Sequence, residues 1–324
     1  VVAGVKMPQD SMIRLMKGPK GSKVKITVNR NGTLIPFDIV RDKIPVHCID
    51  AAFMIDETTG YIKLSKFTRT TYTEFTAAAA KLLAQGMDRL LFDLRDNTGG
   101  YFDQAWKLAN EFLERGDEVV YMQGRQRPRQ DFDADGRGFL KDIKISVLID
   151  EGTASSSEIF AGAIQDNDRG VIVGRRSFGK GLVQEPINFT DGSGIRLTVS
   201  RFYTPSGRCI QKPYGDDYQY DIYERYAHGE MTSAARMPVD TTAVFYTVRG
   251  RRVYGGGGII PDVFVPLDTT KATTFFINST AGLFFREYFS RLGRITTSSR
   301  VWSNAFILTS STFVFTEMGT CFVS

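Results

Sequence analysis

The sequence predicts an α/β protein, and three observations carry that prediction. Short apolar runs of strand length recur, as at Leu90-Leu91-Phe92-Asp93-Leu94, Val147-Leu148-Ile149 and Val171-Ile172-Val173. Segments with apolar residues at helical spacing lie between them, such as Phe75, Ala78, Ala79, Leu82 and Leu83 before the first run. Glycine-rich turns follow the strands, as at Asn97-Thr98-Gly99-Gly100 and Ser177-Phe178-Gly179-Lys180-Gly181. At 324 residues the chain is long enough for two domains around a sizeable core.

Residues 1 to about 43 read as a small lobe. Pro8 to Met16 is a short helix, Lys17 to Gly21 breaks it, and Val24–Val28 and Leu34–Val40 are strands joined at Asn31-Gly32. Ile44 to Glu57 reads as a linker and Gly60–Leu64 as a strand. A helix over Thr73–Gln85 stops at Gly86, and Tyr101–Arg115 is the next amphipathic helix. Val119–Tyr121 is a strand, and Gln123–Asp142 is a polar loop or hairpin. Ile195–Val199 is a further strand. Pro213 to about Arg252, with Tyr214, Tyr218, Tyr220, Tyr223 and Tyr226 among charges, reads as a solvated flap, a substrate-facing cap being the alternative. Gly255–Gly258 leads through Ile259-Ile260-Pro261-Asp262 into a last core strand. Beyond Ala272 the chain has no lysine. Gly282–Leu292 reads as an aromatic helix and Phe306–Val323 as an apolar run, suited to packing on the core or to pairing two copies as a homodimer.

Composition narrows the function. The net charge of +5 is mild and no dense Lys/Arg run is present, so nucleic-acid binding is not implied. No apolar stretch is long enough for an integral membrane span. Cys48, Cys209 and Cys321 form no CxxC pair, which argues against structural zinc and leaves at least one thiol free. The chain opens at Val1 without methionine or a charged-then-apolar leader, as a mature or trimmed polypeptide would.

The chemistry concentrates between Ser146 and Gln184. A serine after a strand, on the first turn of a helix, has free backbone N–H groups around it that can stabilise an oxyanion. Its hydroxyl needs a base. His47 and His228 are the two histidines, and neither has a motif around it. Lys180, between two glycines and among Phe178, Leu182 and Val183, can serve as the base if burial keeps it neutral. Gln184, four residues on, shares its face if this is a strand and can orient the amine. Ser155 with Glu158 also fits a capping box, which needs no catalysis.

This stretch resembles the signature of the carboxyl-terminal processing, or tail-specific, serine peptidases. The resemblance lies in Ser155-Ser156-Ser157-Glu158, Gln165-Asp166, Val173-Gly174 and Phe178-Gly179-Lys180-Gly181-Leu182-Val183-Gln184. It extends to Asn97-Thr98-Gly99-Gly100, to Arg201–Arg208 and to Gly255–Val263. Overall it covers roughly residues 8 to 268. Two departures stand out: Ser156 where the family commonly has alanine, and Cys209 where it has serine. The resemblance implies a crotonase-like, ClpP-like peptidase core over 44–268, with an insertion at about 213–252. It also implies that the 1–43 lobe is the second half of a PDZ domain and that 269–324 is a separate tail. It implies Ser155 as nucleophile, Lys180 as general base, Gln184 as the residue holding the lysine, and the Gly100 and Ser156 N–H groups as oxyanion hole. No metal or organic cofactor is implied. Expected partners are polypeptide substrates with apolar C-terminal tails, in the periplasm or cell envelope. A non-catalytic peptide-binding scaffold and a crotonase-type acyl-CoA enzyme are the alternatives on the same fold.

Overall fold

The computed structural model describes residues 8–42, 47–214, 218, 220–269 and 321–323. The chain divides into two compact units, Val1–Val46 with Thr297–Ser324, and His47–Thr296. In the first, α1 (Gln9–Met16) precedes an antiparallel hairpin of β1 (Lys23–Arg30) and β2 (Thr33–Val40). Asn31 and Gly32 both take positive φ at the turn, as a tight hairpin requires. Arg41 joins helix to hairpin by donating to the carbonyls of Leu15, Met16 and Lys23. Residues Cys321–Val323 add a third strand along β1. The expected helix over Gly282–Leu292 and most of the apolar run Phe306–Val323 lie outside the described residues.

The second unit holds the core. Its six-stranded sheet takes in β3 (Ile49–Met54), β4 (Thr59–Leu64), β5 (Arg89–Asp93), β8 (Lys144–Ile149), β9 (Gly170–Gly174) and β14 (Val263–Phe264). Their order is β14-β9-β8-β5-β4-β3, and all neighbours are parallel except the β3–β4 pair. Helices α2 (Thr71–Leu83) and α4 (Ser156–Asp166) make the crossovers from β4 to β5 and from β8 to β9. A second, antiparallel sheet runs β10-β11-β6-β7, with β6 Glu118–Gln123, β7 Gln130–Asp133, β10 Leu182–Asn188 and β11 Gly194–Tyr203. The α/β expectation holds.

Four phenylalanines knit the core across elements. Phe75 of α2, Phe92 of β5, Phe160 of α4 and Phe112 meet edge-to-face or tilted, with ring centres 5.1 to 6.2 Å apart. Every residue of α4 is buried, not only the expected Ile159, Phe160, Ala163 and Ile164. A helix enclosed on all sides must have each of its polar groups partnered. Ser157 Oγ donates to Asn97 O, and Gln165 donates to Ile260 O and Asp262. Asp166 pairs with the buried Arg208 and accepts the Ser206 N–H.

Three local expectations are corrected. The linker Ile44–Glu57 contains β3, whose Phe53 ring lies 5.1 Å from that of Tyr61 on β4. The helix expected over Tyr101–Arg115 is α3, Phe102–Asn110. It stops because Asn110 exchanges hydrogen bonds with Asp135, and the Glu111 carboxylate accepts Tyr72 O–H and Phe139 N–H. The Pro213–Arg252 segment is no solvated flap. It carries α5 (Asp221–Ala227), and the strands β12 (Val244–Tyr246) and β13 (Arg252–Tyr254) follow. Arg225, Glu230 and Met231 are buried. Arg225 pairs with Glu230 and donates to the Ser177 and Arg176 carbonyls, so the segment is fastened to the approach to Lys180.

Candidate active site

Parallel pairing brings the three loops that matter to one edge. Asp93 lies opposite Leu148, and Ile149 opposite Gly174, so β5, β8 and β9 end together. The carboxyl ends of parallel strands are where such sheets build sites. The loops are 94–101, 150–155 and 175–181.

Asn97 joins the first two. Its Nδ2 donates to Leu64 O (2.8 Å) and its Oδ1 accepts Gly99 N–H (2.9 Å). Its carbonyl accepts Ala154 N–H (2.9 Å) and Ser157 Oγ–H (3.0 Å). The two glycines are required for different reasons. A Cβ on Gly99, at φ +88, would lie 2.6 Å from Ala154 O and 2.8 Å from Ser155 Cβ. A Cβ on Gly100 would lie 1.9 Å from Phe67 O. Gly100 forms a parallel bridge with Phe67, whose hydrogen bonds run through Gly99 O and Tyr101 N–H. Its own N–H therefore faces the opposite side. Ser156 Oγ–H donates to Gly100 O at 3.0 Å, so the serine that replaces alanine ties the two loops together. Neither the Gly100 nor the Ser156 N–H has an acceptor among the described residues.

Ser155 precedes α4 at φ 59, ψ −116. An L-residue there costs on the order of 1–3 kcal/mol and persists only where its surroundings hold it. What holds it is Glu158. This buried carboxylate accepts Ser155 N–H (2.7 Å) and Lys180 N–H (2.8 Å) on Oε2. Its Oε1 accepts Gly179 N–H (2.6 Å) and Ser177 Oγ–H (2.5 Å). Burial pushes the Glu158 carboxyl up, while these four donors favour its charged form. The capping-box glutamate is thus also the joint between the serine turn and the lysine loop. Phe178 N–H, bonded to Thr153 O at 2.9 Å, closes the same seam.

The predicted side chains are not all joined. The backbones of Ser155, Ser156, Gly100 and Lys180 converge, but no hydrogen bond links Ser155 Oγ to Lys180 Nζ. Lys180 is exposed, whereas burial among apolar neighbours is the expectation. The Phe178 ring stacks under a different lysine, the buried Lys212, whose Nζ lies 4.3 Å from the ring centre and pairs with Asp221. Gln184 donates across the hairpin to Thr198 Oγ1 at 3.4 Å and does not bond to Lys180. The same-face argument fails because β10 starts at Leu182, after the lysine, and bulges between Val183 and Gln184. His47 and His228 are exposed beside Glu74 and Glu224, and neither bonds to Ser155.

Asp150 anchors the serine turn from below, accepting Asp96 and Gly152 N–H groups. Burial is the main cause that pushes its carboxyl from 3.8 up to about 6. The native state holds this proton more tightly than the unfolded chain, so its stabilising effect is full below pH 4 and lost as pH rises to 6. Asp150→Asn keeps an acceptor oxygen and removes that loss. Its stability should fall less than that of the wild type between pH 4 and 7, by up to about 3 kcal/mol, in chemical denaturation at each pH.

Comparison with known proteins gives the family of the chain. The model of peptidase family S41 matches residues 58–222, and the chain belongs to that family. It is 36% identical over 208 residues to the carboxyl-terminal-processing protease of Synechocystis, covering 63% of this chain and 48% of that one. It is 40% identical over 203 residues to the carboxy-terminal-processing protease of Bartonella bacilliformis, covering 60% and 46%. Among solved structures it resembles a photosystem II D1 C-terminal processing protease, with TM-score 0.50 and 26% identity, over 77% of this chain and 57% of that one. The chain spans less than half the length of these two sequence relatives.

Proposed function

We propose that this chain carries the catalytic centre of a serine endopeptidase that cleaves polypeptides near their C-termini. The observation that carries this reading is the joint at Glu158, which binds the N–H groups of Ser155 and Lys180 to one buried carboxylate. Ser155 Oγ attacks the scissile carbonyl and passes its proton to neutral Lys180 Nζ. The resulting oxyanion lies between the Gly100 and Ser156 N–H groups. Collapse expels the amine, which takes the proton from Lys180, and leaves an acyl-enzyme. Water, deprotonated by Lys180, then releases the acyl product and regenerates Ser155. The cycle needs no metal or organic cofactor. Catalytic hydrogen bonds commonly tighten only when substrate is bound. The exposed Lys180 is therefore covered by the polypeptide itself, and Gln184 exchanges Thr198 for the lysine.

The same reading takes the core as crotonase- and ClpP-like, and the helix-and-hairpin lobe as part of a PDZ-like domain that receives apolar tails. It places the protein in the periplasm or cell envelope. No helix of the described residues is long and apolar enough to cross a membrane. A fluorophosphonate probe tests the nucleophile. One adduct should form, map to Ser155 by tandem mass spectrometry, and form more slowly in Lys180→Ala. No adduct on Ser155, or equal rates in the two proteins, contradicts the reading.

A further inference from the structure

The antiparallel sheet has an open edge on the hairpin that follows Lys180. β11 runs beside β10 from Gly194 to Arg201 but meets β6 only over Arg201–Tyr203. At Gly124 the chain leaves the ladder, so close to β11 that a Cβ there would lie 2.0 Å from Val199 O. Gly124 and Arg127 then close a turn through mutual backbone hydrogen bonds. The turn and the free edge of β11 enclose a cleft of about 660 Å³. Its charged lining residues are Arg125, Arg127 and Arg201, with no carboxylate among them. Arg127 is paired with Glu185 at 3.0 Å, whereas Arg125 and Arg201 make no ion pair among the described residues. Ile195 and Leu197, each about half exposed, stand on one face of the same strand.

An unpaired strand edge is a template for another extended chain. Arginines without counter-charges in a cleft raise the local concentration of carboxylates and pair with them through two parallel bonds. We propose that this cleft binds an extended polypeptide segment carrying Asp or Glu side chains. The segment adds a strand to β11 while Arg125 and Arg201 pair with its carboxylates. The inference rests on the peptidase reading, in which the segment is substrate flanking the scissile bond. It adds to that reading a preference for acidic residues beside the cleavage site.

The test uses two labelled peptides of the same length, one with glutamates at alternate positions and one with glutamines there. Both have amidated C-termini. Binding to Ser155→Ala protein is read by fluorescence anisotropy. The glutamate peptide should bind about tenfold more tightly at low salt, a preference that shrinks at high salt. In Arg125→Gln/Arg201→Gln the preference should vanish, with the glutamine peptide reporting whether the variant is intact. Equal binding of the two peptides overturns the proposal, as does a preference that survives loss of both arginines. The two readings fail separately. Preferential binding by a protein that cleaves no apolar-tailed polypeptide rejects the peptidase and keeps the cleft, and cleavage of an apolar-tailed polypeptide with equal binding of the two peptides does the reverse.

Discussion

Glu158→Gln should lower kcat by at least about a hundredfold and destabilise the protein by about 2–6 kcal/mol. The carboxylate receives two donors on each oxygen, so an amide cannot replace it. In one orientation its NH2 faces the Ser155 and Lys180 N–H groups, and in the other it faces the Gly179 N–H and the Ser177 Oγ–H. Each buried donor left without an acceptor costs about 1–3 kcal/mol. Either way the strained Ser155 backbone and the lysine loop lose their common anchor. A shift of about 1 Å at a reacting centre can cost on the order of a hundredfold in rate. Chemical denaturation and steady-state kinetics on a chromogenic peptide read both effects. A variant with wild-type stability and kcat would show that the joint is dispensable.

Arg208→Ala should be the most damaging change away from the site. Arg208 is among the largest fully buried side chains, and its guanidinium pairs with Asp166 and donates to Gln165 Oε1 at 2.9 Å. Its removal leaves the Asp166 carboxylate enclosed with the Ser206 N–H as its remaining partner among the described residues. Breaking a buried pair from one side costs about 3–5 kcal/mol, which for a domain of this size lowers Tm by roughly 6–20 °C. Arg208→Met/Asp166→Leu, which removes both charges, should recover much of the loss. Differential scanning calorimetry of the single and double variants checks this. A double variant no more stable than the single one would show that packing, not charge, dominates there.

These two residues mark how far a sequence carries. The parallel strands at Leu90–Leu94, Val147–Ile149 and Val171–Val173 were legible because buried apolar runs need no knowledge of their partners. Ser155, Lys180 and the Gly99-Gly100 turn were legible for a similar reason, since each follows such a run and carries a local pattern. Glu158 was legible only as a cap three residues from Ser155. Its bonds to Ser177, Gly179 and Lys180 depend on β8 and β9 ending side by side. The bond from Gln184 to Thr198 was not legible, because a bulge breaks the alternation of side chains without a sequence signal. The burial of Arg225 likewise depends on an acceptor 48 residues away, the Ser177 carbonyl.

The most direct test of the dyad compares wild type, Ser155→Ala and Lys180→Ala on an unstructured protein with an apolar C-terminus, with products read by mass spectrometry. The wild type should release C-terminal fragments, and both variants, folded by circular dichroism, should be slower by at least about a thousandfold. Cleavage that survives either substitution would contradict the Ser155–Lys180 mechanism.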